Sequence, residues 1–478
     1  MLVILGFAMV LTFMTLIMTK RLTPMVALII VPTIFGLFAG AGLGIGDMVI
    51  EAVGGLAGTA ALLMFAILYF GIMIDVGLFD PLVRLILRLA GGDPAKVVVG
   101  TALLAAAVSL DGDGSTTFIV TTAAMLPIYL KLGMSPIVLT CVAGLANGTL
   151  NIVPWGGPTI RAAAALDVSA TDIFVPMLPS LAAGLAVVLV FAWLLGLGER
   201  KRLLAGGSSL GELSGNGDIG GSSFARGSTI ATAAGDLGPV RRGGILVPAL
   251  VSAETAEITV VRETMLEAER ATLRPRLIWV NLGLTVVVMV MLVLDLVPLP
   301  YVFMVATAVA LIINFPRLKD QGDRIAAHAP NVIAVVSMIL AAGVLIGVLN
   351  GTGMVDAMSS WLVEIIPNEM GPYLAVITGV LSIPMTFFMS NDAFYFGMLP
   401  VLAESASNFG ITPVEMARAS ITGQPVHLQS PLVPAILLLV SLAKVNLGDH
   451  HKKVLWRAVI VSLVMLAVGV LTTAIPFG

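Results

Sequence analysis

The chain has 478 residues, 58% of them hydrophobic and 11% charged, and its mean hydropathy is +1.05. This composition excludes a soluble globular protein and predicts an all-α polytopic membrane protein, because a membrane-spanning helix needs about 20 mostly apolar residues. The formal net charge of −3 indicates nothing about partners, and the single cysteine, Cys141, excludes an internal disulfide.

Apolar segments of spanning length recur about ten times along the chain. They lie near 1–18, 22–40, 58–79, 136–166, 173–198, 277–297, 299–314, 329–350, 413–445 and 453–476. Lys20 and Arg21 follow the first segment, so the positive-inside rule predicts an external amino terminus and a cytoplasmic first loop. Alternating spans then place every Lys and Arg except Arg161 and Arg418 on the cytoplasmic side of the cell membrane, and both termini outside.

Two halves of the chain resemble each other. The stretch "GIMIDVGLFD" ends at Asp80 and the stretch "GVLIGVLNGTGMVD" ends at Asp356, with glycines at matching positions, and an ordered series of shorter matches follows both. Each half contains about five spans, which is an odd number, so the second half must enter the membrane in the orientation opposite to the first. Transporters built from inverted repeats have this arrangement. We therefore predict a first repeat at 1–198, a flexible Gly- and Ser-rich cytoplasmic linker at 199–276 and a second repeat at 277–478.

Two apolar segments have polar residues at their centres and do not fit simple spans. Residues 95–131 contain "DGDGSTT", and residues 371–407 contain "MSNDAFYFG". We predict two re-entrant hairpins, since such backbone at membrane depth is tolerated only inside protein or beside a water-filled cavity. The following segments, 136–166 and 413–445, contain glycines and prolines that interrupt a helix. Broken helices turn free backbone groups toward a bound ion or anion, so the two hairpin tips and the two breaks predict one shared site.

Three aspartates, Asp111, Asp113 and Asp392, lie near this predicted site, against one nearby histidine, His427. Ionisable residues inside a membrane are costly and usually functional, so the acidic site suits a cation, or an anion that arrives with a cation. The aspartates could bind a hard cation or carry a coupling proton, and either Asp111 or Asp113 could instead cap a helix.

Other charged residues permit simpler interpretations. Arg161 and Arg418 either attract the substrate or snorkel to outer headgroups. Asp75 is predicted to be solvated or structural, as are Asp80 and Asp356. The run that begins with His450 is predicted to be an ordinary cytoplasmic flank.

Several long blocks, in order, carry a resemblance to a known family. They are "LIMTKRL", "MFAILYFGIMIDVGLFDP", "LDGDGSTTFIVTTAAMLPIYL", "NIVPWGGPTIRAAAAL", "GERKRL", "MSNDAFYFGMLPVL" and "RASITGQPVHLQSPLVPA". These blocks resemble the CitMHS family of metal-citrate:proton symporters, within the ion transporter superfamily. The resemblance covers nearly the whole chain except the linker.

The resemblance implies uptake of citrate as a complex with a divalent metal ion, Mg²⁺ or Ca²⁺, coupled to protons by alternating access. It implies no permanently bound cofactor and a homodimer in the lipid bilayer. It also assigns metal or proton coupling to Asp111, Asp113 and Asp392. The substrate-binding residues that we expect are Gly114, Ser115, Thr116, Thr117, Asn147, Asn151, Gly156, Gly157, Thr159, Arg161, Ser390, Asn391, Gln424, His427 and Ser430.

Two other functions remain open at this point. A sodium-coupled dicarboxylate or other anion symporter would depend on sodium and not on the metal, and a cation:proton antiporter would bind no organic anion. An enzyme is not expected, since the sequence has no nucleophile–base pair, Walker motif or nucleotide fingerprint. We expect no nucleic-acid partner.

Overall fold

The computed structural model describes residues 1–19, 21–90, 92–112, 114–212, 271–294, 296–367 and 369–478. Asp113 and residues 213–270 of the predicted linker therefore lie outside the described residues. The chain divides into two compact units, one formed by Met1–Glu199 with Ala271–Gly478 and the other by Arg200–Arg270. In the described residues of the first unit, all regular secondary structure is helical.

The first half of the chain contains helices α1 to α11, joined by turns and short 3-10 helices. Their bounds are α1 Leu2–Met18, α2 Pro24–Phe38, α3 Ile45–Gly55, α4 Ala57–Asp75, α5 Asp80–Ala90, α6 Pro94–Val108, α7 Gly114–Lys131, α8 Pro136–Leu150, α9 Gly157–Leu166, α10 Ala170–Phe174 and α11 Leu178–Glu212.

The second half contains α12 to α21 and one π-helix, Ala393–Met398, directly before α17. The bounds are α12 Ile278–Leu294, α13 Leu299–Asn314, α14 Leu318–Gly351, α15 Met354–Ile365, α16 Leu374–Phe388, α17 Leu399–Ser407, α18 Pro413–Ser420, α19 Gln424–His427, α20 Pro434–Leu442 and α21 Leu447–Leu471.

Helix starts follow local sequence signals. Pro94 and Pro136 occupy the first position of α6 and α8, where a missing backbone N–H costs nothing. Asp93 also caps α6, because its carboxylate accepts a hydrogen bond from the Ala95 N–H at 3.0 Å. The start of α18 has a reciprocal capping box between Thr412 and Glu415.

Seven helical segments in the described part of the chain are long and apolar enough to cross a membrane. They are Ala57–Asp75, Pro94–Asp111, Ala170–Ala205, Pro275–Leu294, Leu318–Gly351, Gly371–Phe388 and Leu447–Leu471. Shorter apolar helices occupy the predicted spans near 1–18, 22–40 and 299–314. These findings confirm the prediction of an all-α, multi-pass membrane protein, whereas the inverted orientation of the two halves stays a prediction.

Helices from both halves pack together around the interrupted segments. In the first half, α6 packs against α7, and both contact α8. The same α8 contacts α19 and α21 of the second half, and α9 contacts α18 and the π-helix. Consequently, the residues after α8 and before α9 lie beside the residues that precede the π-helix, which is where the predicted site falls.

Candidate functional site

The first tip, residues 109–117 without Asp113, joins α6 to α7 through a 3-10 turn and a glycine. Gly112 has φ of +78°, a left-handed conformation that favours glycine, and an added Cβ would lie 3.1 Å from Trp155 Cδ1. Trp155 follows α8 and donates from its indole Nε1 to the Leu110 carbonyl at 2.7 Å. Asp111, the described aspartate of this tip, is buried. The first tip is therefore held against the interrupted segment that follows α8.

The hydroxyl residues of the first tip divide into two groups. Ser115 and Thr116 lie in the first turn of α7 and are half-buried. Thr117 is fully buried, and its hydroxyl donates to Ser109 Oγ at 3.3 Å. Ser109 Oγ donates in turn to the Ala105 carbonyl at 2.6 Å. Thr117, predicted as a substrate-binding residue, is used in packing within the pair of helices α6 and α7.

The second tip, Ser390–Asp392, leads directly into the π-helix. Ser390 Oγ accepts a hydrogen bond from the Ala393 N–H at 3.2 Å, which fixes the turn. A π-turn is rare and often lies at a functional site. Here it places Tyr395 with its hydroxyl 3.0 Å from Gln424 Nε2 and 3.3 Å from the Ser420 carbonyl.

An ion pair connects the second tip to the first half of the chain. Arg161 in α9 donates from Nε to Asp392 Oδ1 at 2.6 Å, and its Nη1 donates to the Gly157 carbonyl at 3.0 Å. The exposed fraction is 9% for the Asp392 side chain and 18% for the Arg161 side chain. Arg161 is therefore bound to Asp392 of the second tip, beside the predicted site.

Four polar side chains beside this pair form an amide cluster, which consists of Asn151, Asn391, Tyr395 and Gln424. Gln424 Nε2 donates to Asn391 Oδ1 at 3.2 Å and to the Tyr395 hydroxyl. Gln424 Oε1 accepts from Asn151 Nδ2 at 3.1 Å and from Asn391 Nδ2 at 3.5 Å. The cluster thus joins the end of α8, the second tip and the start of α19 with neutral groups that can both donate and accept hydrogen bonds.

The interrupted segments touch each other through their backbones. A Cβ on Gly148 would lie 2.9 Å from Pro425 Cα and 3.2 Å from the Pro425 carbonyl oxygen, so only glycine permits this approach. Close by in the chain, Gly156 faces the Asn151 carbonyl so closely that an added Cβ would clash with it. The first of these contacts lies within the last turn of α8, which ends at Leu150, and the second lies in the turn before α9, which begins at Gly157.

Asn147, one helical turn before the first break, has an unusual environment. Its side chain is 3% exposed, and its Nδ2 has no hydrogen-bond partner among the described residues. A Cβ on Gly114 would lie 2.9 Å from this Nδ2, which places the amide beside the start of α7. A buried donor without a partner costs free energy, so it indicates a position where a ligand could accept a hydrogen bond.

Three other predicted site residues direct their polar groups to backbone carbonyls. Thr159 Oγ1 donates to Ile152 O at 2.8 Å, and Ser430 Oγ donates to Phe387 O at 2.6 Å. His427 Nδ1 lies 2.5 Å from Thr386 O, so that nitrogen carries a proton and donates. These side chains hold the two interrupted segments in place, and their role in substrate binding stays a prediction.

The interpretation of the run that begins at His450 as an ordinary flank is wrong for His450 itself. His450 is fully buried, with Nδ1 3.1 Å from Thr140 Oγ1 and Nε2 3.2 Å from Gln429 Oε1. Gln429 lies in the second break and donates from Nε2 to the Gly144 and Pro425 carbonyls, each at 3.0 Å. The helical period turns His450 inward while Asp449 and Lys452 stay at the surface, and only that period could have indicated the burial.

Two remaining charged groups have structural partners. Asp75 at the end of α4 lies 3.0 Å from His328 Nε2 and 3.3 Å from Arg324 Nη1, consistent with a structural role. Arg418 donates to the Asp172 and Ala474 carbonyls at the protein surface. In the described ranges, no three His, Cys, Asp or Glu side chains are grouped as a metal site would require.

An all-α, multi-pass membrane protein with buried polar groups at interrupted helices belongs to the class of membrane transporters. The family model described as citrate transporter matches residues 3–423, and the chain belongs to this family. The family resemblance predicted from the sequence blocks is thereby confirmed.

Two named relatives align with this chain over the whole length of both proteins. A protein of Bacillus subtilis (strain 168) named citrate transporter is 47% identical over 478 residues and covers 100% of both chains. Another from the same strain, named Mg(2+)/citrate complex secondary transporter, is 45% identical over 479 residues, again with 100% of both chains. Among solved structures, the crystal structure of the Alcanivorax borkumensis YdaH transporter matches with a TM-score of 0.49 and 14% identity, covering 87% of this chain and 86% of that chain.

Proposed function

We propose that this protein takes up citrate as a complex with a divalent metal ion of the Mg²⁺ or Ca²⁺ class, coupled to protons, across the cytoplasmic membrane. The observation that carries the proposal is the buried Arg161–Asp392 pair beside the amide cluster, because it offers an anionic ligand for a cation next to donors for an organic anion. The relative named as a Mg(2+)/citrate complex transporter supports the same substrate.

The chemistry of the substrate matches the donor set. Citrate bound to one divalent cation keeps a net charge of about −1, and the metal can still accept protein oxygens. In this proposal Asp392 and Asp111 supply carboxylate oxygens to the metal, together with Asp113, which lies outside the described residues. The amide groups of Asn147, Asn151 and Gln424 donate to the remaining carboxylates.

Proton coupling is assigned to the same aspartates, because acids at membrane depth are the groups that carry protons in pumps and transporters. Alternating access is proposed to move the hairpins and interrupted helices against a scaffold that includes residues 1–40 and 277–314. In this proposal the scaffold also provides the contact of a homodimer.

The test is uptake of radiolabelled citrate into proteoliposomes with an imposed inward proton gradient and no sodium. Separate assays contain Mg²⁺, Ca²⁺, ferric ion or a chelator. We expect uptake with Mg²⁺ or Ca²⁺, little uptake with the chelator, and a lower rate when a protonophore collapses the gradient.

Two results would contradict the proposal. Uptake that requires sodium and is indifferent to the metal would identify a sodium-coupled anion symporter. Proton release on addition of the metal, without any citrate uptake, would identify a cation:proton antiporter. Empty liposomes and liposomes treated identically without a gradient serve as controls.

A further inference from the structure

The Arg161–Asp392 pair holds two opposite charges that neutralise each other. Arg161 Nε and Asp392 Oδ1 are 2.6 Å apart, and the Asp392 residue is 6% exposed. Removing either partner of a buried pair is strongly destabilising, because the other charge is left without compensation. A ligand that separates these two groups must therefore replace the lost partner of each.

We infer that the Arg161–Asp392 pair selects the metal–citrate complex over free citrate and over the free metal ion. The inference rests on the proposed function. It identifies the two residues that make the transporter specific for the complex. The complex presents a cation to the Asp392 carboxylate and an uncoordinated carboxylate to the Arg161 guanidinium. Both charges then exchange one partner for another, and neither is left uncompensated.

Neither free citrate nor the free metal ion can replace the partners of both charges. Free citrate can pair with Arg161, but it brings its negative charge toward Asp392, and like charges at close range repel. A free divalent cation can bind Asp392, but it leaves Arg161 without an anion and adds positive charge beside it. Specificity thus arises from a penalty against the wrong ligands as much as from attraction to the right one.

The neighbouring amide cluster cannot make this distinction. Gln424 accepts hydrogen bonds from Asn151 and Asn391 and donates one to Asn391, and none of the three side chains is charged. Such groups can turn to an anion or a cation at similar cost. The two halves of the pair also come from different parts of the chain, α9 and the second tip, so a ligand that bridges them bridges those parts as well.

The experiment measures binding at one fixed pH, not transport, so that the proton gradient does not enter. Purified full-length protein is titrated with radiolabelled citrate in excess Mg²⁺ and, separately, in a chelator, and the preference is the ratio of the two affinities. For the wild-type protein we expect a preference on the order of a hundredfold. A wild-type protein that binds citrate equally with and without Mg²⁺, or not at all, would overturn the proposed function itself.

The single variants are expected to change the preference in opposite directions. Asp392→Asn leaves Arg161 unpaired, so free citrate binds better and the preference falls at least about tenfold. Arg161→Gln leaves Asp392 unpaired, so citrate binds less tightly in both conditions. Free citrate loses more affinity than the complex, because it has no cation to offer Asp392, and the preference rises. General damage to the site would move both variants in the same direction, and that result would overturn the inference while leaving the proposed function intact.

A double variant covers the case in which a single variant does not fold. Arg161→Gln with Asp392→Asn leaves no unpaired charge, and we expect weak binding with a preference close to one. Retention of the wild-type preference by this variant would also overturn the inference. Asp449→Asn, at a carboxylate with 54% of its side chain exposed, is the matched control and should keep the wild-type preference.

Discussion

The two tips follow helices of similar length, but they present different chemistry. The first tip carries a left-handed glycine and hydroxyl side chains, and it is fixed by the indole of Trp155. The second tip carries Asn391 and Asp392. Asp392 pairs with a guanidinium from α9, and Asn391 accepts a hydrogen bond from an amide of α19. The described contacts thus fix the first tip at Leu110 and Gly112 through the Trp155 indole, and they fix the second tip through a charge pair and amide hydrogen bonds. Substitutions that break the contacts of the second tip should therefore cost more free energy than substitutions at the first tip, in stability as well as in binding.

The largest effect is expected for Arg161→Ala. Loss of the guanidinium leaves Asp392 buried without its partner, which costs about 3–5 kcal/mol. Thermal unfolding in detergent and citrate uptake measure the two consequences. Arg418→Ala is the control, since Arg418 bonds to carbonyls at the surface and should cost less than half as much. Equal losses for the two arginines would remove the distinction between the pair and an ordinary surface contact.

A smaller effect is expected for Gln424→Leu, which removes the centre of the amide cluster. Asn151, Asn391 and Tyr395 each lose a partner, and we expect about 2 kcal/mol of lost binding free energy. The affinity for Mg²⁺-citrate, measured by isothermal titration, reports this loss. Gln321→Leu removes a single hydrogen bond to Phe315 in the first turns of α14 and should leave the affinity unchanged. A wild-type affinity in the Gln424 variant would show that the cluster is not part of the binding site.

At the first tip, Gly112→Ala should lower stability by about 1–2 kcal/mol, because a side chain is forced into the left-handed region. Contact with Trp155 adds to this cost. Gly353→Ala is the matched control, with φ of +71° and open space around its Cβ position. The difference between their melting temperatures isolates the contact with the indole. If the two variants melt at the same temperature, Trp155 does not fix the first tip.

The smallest effect is expected for Trp155→Phe. The substitution keeps an aromatic ring near Phe70 and Phe303 but removes the hydrogen bond to Leu110, worth about 1 kcal/mol. Uptake should fall only a few-fold, and hydrogen exchange of the first tip should accelerate. Trp361→Phe, at an exposed position, should change neither measurement. Unchanged exchange in the Trp155 variant would mean that the indole hydrogen bond to Leu110 does not fix the first tip.

Much of the helical framework could be predicted from the sequence, because long apolar segments in lipid permit few structures other than helices. Glycines and prolines also marked where helices stop, since their effect on backbone conformation is local. The partner of Arg161 could not be predicted in this way. It lies 231 positions away in the chain, and either of two interpretations of that arginine fitted the composition.

Roles within the site were harder to predict than its location. Asn147 and Asn151 are four residues apart on one helix, yet one lacks a hydrogen-bond partner for its Nδ2 in the described part of the chain and the other bonds to Gln424. Thr159 and Ser430 belong to the interrupted segments, but their hydroxyls bond to nearby carbonyls. Tyr395 was missed because its position depends on a π-turn, for which no sequence pattern was available.

The burial of His450 has a mechanical consequence. Its imidazole holds the Gln429 amide, which is bonded to the backbone of α8 at Gly144, while His451 Nε2 contacts the Gln429 carbonyl at 2.8 Å. The stiffness of the second break is therefore set partly by a helix that follows it in the chain. A displacement of the first turn of α21 would be transmitted to Pro425 and the residues beside it. No contact with the substrate is needed for this. We expect α8, the second break and the start of α21 to be displaced as one rigid body.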